Sequence, residues 1–324
     1  MRHKSVSYAK YGYIFCIPFV AAFLIFSLYP IVYTIVIGFT DLKGVAATTF
    51  HFLPNPLQNF NTILHNPSFQ VSLRNTAVIW IINFIPQIVL ALLLTAWFTN
   101  ERLKIKGQGA FKVLLFMPNI ITAGTIAVLF GNLFGFPVGP VNQLLVRMGF
   151  LDQAMNFAVN KNVSRGVISF IQFWMWYGNT MIVLIAGVLG ISPTLYEAAS
   201  IDGANNTQAF FRITLPLLRT ILLYTLITAL IGGLTMFDIP RLYLNGGPDN
   251  ATLTTSLFIY NQAFSGSYLY ARASAAAVLL FIIIAILSAF LFRIMRDKDA
   301  ALLKKQQQVM LKAERSKRKA AASV

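Results

Sequence analysis

The feature that most constrains this chain is the scarcity of charge within long apolar runs. Six stretches stand out, at about 13–39, 73–98, 112–136, 166–190, 219–240 and 270–292. An α-helix needs about 20 apolar residues to cross the hydrocarbon of a bilayer, and each stretch is long enough. Charged residues make up only 11% of 324 positions, apolar ones 57%, and mean hydropathy is +0.67. A soluble domain carries roughly 25% charged residues. So little charge cannot cover a water-facing surface, and lipid must be the solvent for much of the chain. The expected fold class is an all-α integral membrane protein with six transmembrane helices. The first stretch is too long for a signal-peptide core and lacks a small-residue cleavage site, so it is read as a span.

Net charge is +16, and its distribution sets an orientation. With the N-terminus inside, the inner segments carry Arg2, Lys4, Lys10, Arg102, Lys104, Lys106, Lys112, Arg212, Arg219 and a basic tail. The tail holds Arg293, Arg296, Lys298, Lys304, Lys305, Lys312, Arg315, Lys317, Arg318 and Lys319. The outer set is Lys43, Arg74, Arg147, Lys161, Arg165, Arg241 and Arg272. Nineteen against seven favours both termini on the cytoplasmic side. The expected organisation is a cytoplasmic N-terminal segment 1–12, a transmembrane domain 13–293 and a basic cytoplasmic tail 294–324. Such a tail suits anionic lipid. No folded reader domain accompanies it, so nucleic acid is not expected as a partner. The single cysteine, Cys16, rules out a disulfide framework and a Cys-based zinc site.

The most unusual inner connection is 191–218. Ser192 followed by Pro193 is a helix start, a cap and then a proline at the first helical position. Gly203 permits a left-handed turn. Residues 204–213 form a second short helix that Pro216 should end. The expected result is a helix–turn–helix element under the membrane. Its small Ala198, Ala199 and Ala204 let a partner approach, and Phe210, Phe211 and Ile213 anchor it to the spans. An ordinary amphipathic connector fits the same spacing.

Polar side chains within a span face the bundle or a cavity. Gln172, Trp176 and Asn179 stand at i, i+4 and i+7 on the fourth span, one stripe of a helix. Amides and an indole suit a sugar, which needs hydrogen bonds at its hydroxyls and stacking on its C–H faces. Asn83 and Gln87 form a similar pair in the second span, and Asn119 follows the kink-prone Pro118. Interhelical hydrogen bonding explains the same amides without any solute.

No Gly-x-x-x-x-Gly-Lys-Ser/Thr run is present to cradle nucleotide phosphates. His3, His51 and His65 lie outside the spans without metal-ligand spacing. Asp238 is the acidic residue near a span end, and pairing with Arg241 at the membrane edge is its expected state, against a proton-relay role. No catalytic or metal site and no bound cofactor is expected in the chain itself.

Longer motifs now bear on these readings. Glu197-Ala198-Ala199, Asp202-Gly203-Ala204 and Ile213-Thr214-Leu215-Pro216 resemble the EAA loop of binding-protein-dependent ABC importer permeases. Phe26-Ser27-Leu28-Tyr29-Pro30, Phe116-Met117-Pro118, and Phe237-Asp238 with Gly246-Gly247-Pro248 are similar to the carbohydrate-uptake branch, the first permease of the maltose and glycerol-phosphate type. The resemblance implies a type I importer permease fold in which this loop is a coupling helix. It gives Glu197, Ala198, Ala199, Asp202, Gly203 and Ala204 the ATPase-docking role. It also implies a second permease subunit completing a heterodimer, two ATPase subunits holding ATP and Mg, and an extracytoplasmic solute-binding protein. The setting implied is a bacterial or archaeal inner membrane, and the solute a sugar or oligosaccharide. Alignment from Glu197 places the solute face on Gln172, Trp176 and Asn179 and on the Ala229/Gly233 face of the fifth span, where Gly232-Gly233 can equally serve close helix packing. The alternative is a secondary transporter driven by an ion gradient, which calls for acidic or histidine groups in mid-membrane and inverted repeats.

Overall fold

The computed structural model describes residues 9–45, 49–100, 103, 105–266, 268–295 and 310. Arg2, His3, Lys4, Arg102, Lys104 and the tail cations from Arg296 onward lie outside the described residues. Apart from an isolated antiparallel bridge between Thr40 and Phe52, regular structure among the described residues is helical.

In chain order, α1 is Tyr11–Ile37, α2 Gln58–Leu64, α3 Pro67–Phe98, α4 Gln108–Ile120, α5 Ala123–Leu133, α6 Pro140–Arg147 and α7 Lys161–Leu189. Then follow α8 Pro193–Ile201, α9 Asn206–Leu217, α10 Arg219–Leu234, α11 Thr255–Phe264 and α12 Tyr270–Met295. α1, α3, α7 and α12 are each long and apolar enough to cross a membrane unaided. The third apolar stretch is not the single straight helix the sequence led us to expect, and the fifth is preceded by a bend where the loop helix meets it. α4 and α5 meet at 94°, and α9 and α10 at 70°. Six spans therefore result if each bent pair crosses once.

Local chemistry accounts for the breaks. Pro118 sits in the 3₁₀ turn Met117–Ile120, Ile121 is extended with ψ 136, and Thr122 restarts the chain by accepting a hydrogen bond from the Thr125 N–H at 3.3 Å. The hydroxyl cap satisfies a donor that a new helix would otherwise leave bare. Two π turns, Leu24–Leu28 and Phe210–Thr214, each end two residues before a proline, Pro30 and Pro216. A proline cannot donate to the carbonyl one turn back and crowds it. An inserted residue widens the helix there, so Pro216 does not end α9. The break comes at Leu218, just before Arg219.

The chain divides into two compact units. The first holds the described residues of Met1–Ala77, Ala158–Ser164 and Thr235–Ile283. Its core packs Phe60, Ile63 and Phe69 with Leu257, Phe258, Ala275 and Ala276. Polar side chains staple its connections. Asn59 Nδ2 donates to the carbonyls of Gly38 (3.0 Å) and Thr40 (2.8 Å). Asn75 Nδ2 donates to those of Asn250 (2.6 Å) and Leu253 (3.1 Å), and Thr76 Oγ1 accepts from the Thr255 N–H at 2.9 Å. Asn245, Gly246, Asp249 and Asn250 all have positive φ, a conformation that short polar residues and glycine tolerate best. In the connection after α1, the His51 backbone N–H donates to Asp41 Oδ1 at 2.8 Å and holds that carboxyl below its ordinary pKa.

The second unit holds the described residues of Val78–Phe157, Arg165–Leu234 and Ile284–Val324. Its core joins Ala91 of α3, Met181, Leu184 and Ile185 of α7, and Leu218 and Leu222 at the start of α10. Two glycines of α7 set how closely neighbours approach. A Cβ on Gly178 would collide with the Leu115 carbonyl oxygen and lie 2.9 Å from Phe116 Cα. A Cβ on Gly187 would lie 2.7 Å from side-chain carbons of both Leu218 and Ile221.

Candidate functional site

The inner loop takes the helix–turn–helix form that its sequence suggests, with different fastenings. α8 opens at Pro193, and Gly203 has φ +80, the left-handed turn expected of it. Ala204 N–H donates to Ala199 O at 2.8 Å and Gly203 N–H to Ser200 O at 3.1 Å, closing the end of α8. α9 opens on a full capping box. Asn205 Oδ1 accepts from the Gln208 N–H at 2.8 Å, and Gln208 Oε1 accepts from the Asn205 N–H at 2.9 Å. Ser192 does not cap α8 with its side chain; its hydroxyl bonds Thr194 Oγ1 at 2.8 Å.

The anchor also differs from expectation. Phe211 is exposed, and Phe210 and Ile213 are only half-buried. The loop is fixed instead by Thr214, which is buried and shares a 2.9 Å hydrogen bond with Tyr196 OH, and by the fully buried Leu218. Asn206 Nδ2 adds a bond to Asn100 Oδ1 at 3.2 Å. Arg219 donates to the Ile294 carbonyl at 3.1 Å, at the end of α12. With its base held, the loop turns the other side outward. Glu197, Ala198, Asp202 and Gly203 are exposed, Ala199 and Ala204 half-buried, and Ile201 is 86% exposed. Neither Glu197 nor Asp202 has an ion-pair or side-chain hydrogen-bond partner among the described residues. Glu197 and Ile201, at i and i+4 on α8, thus stand exposed on a firmly capped support.

The polar residues of the spans separate into two groups. Asn83 Nδ2 donates to Ile79 O at 2.9 Å within its own helix, and Gln87 Nε2 donates to Thr180 Oγ1 at 2.8 Å. Both side chains are buried, and the Gln87 bond joins α3 to α7 as an interhelical contact, whereas that of Asn83 stays within α3. Asn119 Nδ2 reaches the Met175 carbonyl at 3.3 Å and ties the α4 end to α7. Gly233 is likewise taken up by packing. A Cβ there would collide with the Trp80 indole, whose Nε1 donates to Ala229 O at 3.2 Å, while Gly232 has open space beside it.

The α7 stripe behaves differently. Gln172, only 8% exposed, Trp176, 45% exposed, and the half-buried Asn179 make no side-chain hydrogen bond to any described residue. Each nonetheless retains access to the surrounding space, for Ser288 Oγ alone is a fully enclosed unpartnered polar atom among the described residues. Two amides and an indole along one helix face, none committed to the bundle, form a hydrogen-bonding and stacking surface. Gly178 and Asn119 fix its position from behind. Sequence reasoning missed Gly178; a glycine inside a long helix, costing roughly 0.5–1 kcal/mol against alanine, was the available signal. Asp238 is exposed and forms no ion pair with Arg241, contrary to expectation. Arg241 lies on the Tyr260 ring instead.

Comparison with known proteins places this geometry. The chain is 29% identical over 289 residues to the lactose transport system permease protein LacF of Rhizobium radiobacter, covering 89% of this chain and 94% of that one. It is 33% identical over 276 residues to the arabinooligosaccharides transport system permease protein AraP of Bacillus subtilis, 85% of each. Its fold matches a chain of a bacterial ABC transporter involved in the import of the acidic polysaccharide alginate, with TM-score 0.72, 23% identity and coverage of 88% and 94%. The family model for the inner membrane component of binding-protein-dependent transport systems matches residues 62–298. The type I permease fold, the multi-pass helical membrane domain and the loop carrying Glu197 are thus those of one family, and this chain belongs to it: the inner membrane components of binding-protein-dependent transport systems.

Proposed function

We propose that this chain is one half of the membrane pathway of an ATP-driven importer for a saccharide, working by alternating access. The supporting observation is the loop at 191–218: a capped, anchored element whose exposed Glu197 and Asp202 have no ion-pair or side-chain hydrogen-bond partner among the described residues, with Ile201 bare beside them. A second permease subunit completes the pathway, and two ATPase subunits bind ATP and Mg and grip the loop. Glu197, Ala198, Ala199, Asp202, Gly203 and Ala204 form the grip. An extracytoplasmic binding protein delivers solute from the other side. Nucleotide binding draws the ATPases together, the loops follow, and the pathway turns outward; hydrolysis resets it. A ligand with different affinity for two states shifts their populations, and here ATP supplies that difference through the loop.

Saccharide is favoured by the α7 stripe, with Gln172 and Asn179 for hydroxyls and Trp176 for a ring face, and by the solutes in the names of LacF and AraP. The terminal segments 1–12 and 294–324 lie on the cytoplasmic side, with the tail near anionic lipid, on the strength of the Lys and Arg asymmetry. The test is direct. A tagged chain should co-purify with an ATPase subunit, and Glu197→Lys should cut ATP-driven sugar uptake in proteoliposomes by about tenfold or more, the loss of a buried interfacial charge pair being worth 2–5 kcal/mol. Unchanged uptake with Glu197→Lys would sink this reading.

A further inference from the structure

Four aromatic rings run side by side along the first unit. Centroid separations are 5.1 Å for Phe237–Tyr260, 5.3 Å for Tyr260–Phe264 and 6.1 Å for Phe264–Tyr270. Tyr260 and Phe264 stand at i and i+4 on α11 and so share a face. These rings are not sealed in the core, for Phe264 is 57% exposed and Phe237, Tyr260 and Tyr270 are half-buried. At the Tyr260 ring the Arg241 guanidinium carbon lies 4.2 Å from the centroid, within range for a cation–π contact. One of its N–H groups donates to Asn245 Oδ1 at 3.3 Å. No carboxylate pairs with Arg241 among the described residues, and exposed Asp238 forms no ion pair with it.

These parts have a combined chemistry. The contact with the tyrosine ring and the single bond to Asn245 hold the guanidinium in place and leave its other N–H groups without a partner among the described residues. The fork of that edge matches a carboxylate through two parallel N–H···O bonds. Beside it, the negative faces of aromatic rings attract the polarised C–H groups of a sugar ring. An interfacial aromatic belt would account for the rings alone. It would not account for an arginine set over one of them with no carboxylate paired to it among the described residues.

The geometry points to a carbohydrate-binding surface on the first unit, in which Tyr260 and Phe264 stack against sugar rings and Arg241 pairs with the carboxylate of an acidic sugar. It rests on the reading of the solute as a saccharide, and deepens it by naming the acidic class. The site is distinct from the α7 stripe, which carries no charged side chain.

Binding of trigalacturonate and of neutral galactotriose to the intact complex in nanodiscs, followed by calorimetry, tests the site. Wild type should prefer the acidic trisaccharide. Arg241→Gln should cut that preference about tenfold, since hydrogen bonds to charged groups are the stronger ones. Arg241→Lys, keeping charge without the fork, should fall between, and Phe264→Leu, at an exposed position, should weaken both sugars together. Absence of a wild-type preference overturns the site, as does a preference that Arg241→Gln leaves intact. So does an effect of Arg241→Gln on binding-protein-stimulated ATPase rate that is equal for both sugars, which would make Arg241 a protein contact. ATP-driven uptake separates the two readings. Selective binding without uptake sinks the importer and keeps the site; uptake of sugars with no Arg241 dependence does the reverse.

Discussion

α1 and α7 are both long enough to cross a bilayer, yet they stand in opposite relation to the rest of the chain. None of the most apolar part of α1 is buried within the chain, only its end at Ile37 being so, against 61% of the most apolar part of α7, although α7 is the least apolar of the four continuous candidate spans. In water the ranking would be reversed, because burial there follows apolar area. In lipid, apolar side chains are already well solvated, so hydropathy marks what can face hydrocarbon. Helices are drawn together by small residues that allow close approach and by polar residues that need partners. α7 has both, in Gly178, Gly187, Thr180 and Ser169.

The largest effect that would test this contrast is a single methyl group in each helix. Gly178→Ala puts a Cβ into the Leu115 carbonyl, which cannot move aside as a flexible side-chain tip can. We expect a loss of about 3 kcal/mol, at the upper end of overpacking costs, read as a lower melting midpoint of the purified complex. Gly12→Ala in α1 meets nothing within 4 Å and should be neutral or stabilising by about 0.5–1 kcal/mol, as expected when glycine is replaced in a helix. Equal effects at the two positions would break the contrast.

A second pair of substitutions sharpens it within the polar residues. Gln87→Leu removes the bond to Thr180 and should cost about 1 kcal/mol of stability, near the measured range for such bonds in membrane helices, while leaving the KM for sugar uptake unchanged. Gln172→Leu removes no bond to a described residue. It should leave the melting midpoint in place and raise KM severalfold, as loss of one hydrogen bond of about 1 kcal/mol to solute requires. A drop in stability with unchanged KM for Gln172→Leu would move that residue from the pathway into the bundle.

What the sequence disclosed follows the same division. The spans were legible because length and lack of charge are local properties, and the boundaries of α1, α7 and α12 fall within about five residues of the apolar stretches. The Gly203 turn and the Pro193 start were legible because backbone constraints act on neighbours. The 94° break was not, although Pro118 was visible, because the decisive Thr122 restart depends on the chain leaving the helix altogether. Asn83 and Gln172 look alike in sequence; what separates them is which amide has found a partner in the folded bundle. For Gly233 the sequence left a solute face and close helix packing equally open, because Trp80, the ring packed against it, is far away in the sequence.

The smallest expected effect is also the one that bears most on α1. Phe26 is 77% exposed, and Phe26→Leu keeps an apolar side chain where the chain itself offers no packing. If lipid is its neighbour, stability should change by under about 0.5 kcal/mol, as for surface substitutions elsewhere. Ile37→Ala in the same helix provides the internal control. Ile37 is buried against Leu42 and Ala271, and its truncation should cost about 2 kcal/mol, the low end for such core deletions. Both values are to be measured on the isolated chain and again on the assembled transporter. A Phe26 effect that stays small in the isolated chain but rises toward the Ile37 value on assembly would mean that another subunit grips α1. The bareness of α1 would then reflect a missing partner and not a lipid-facing role.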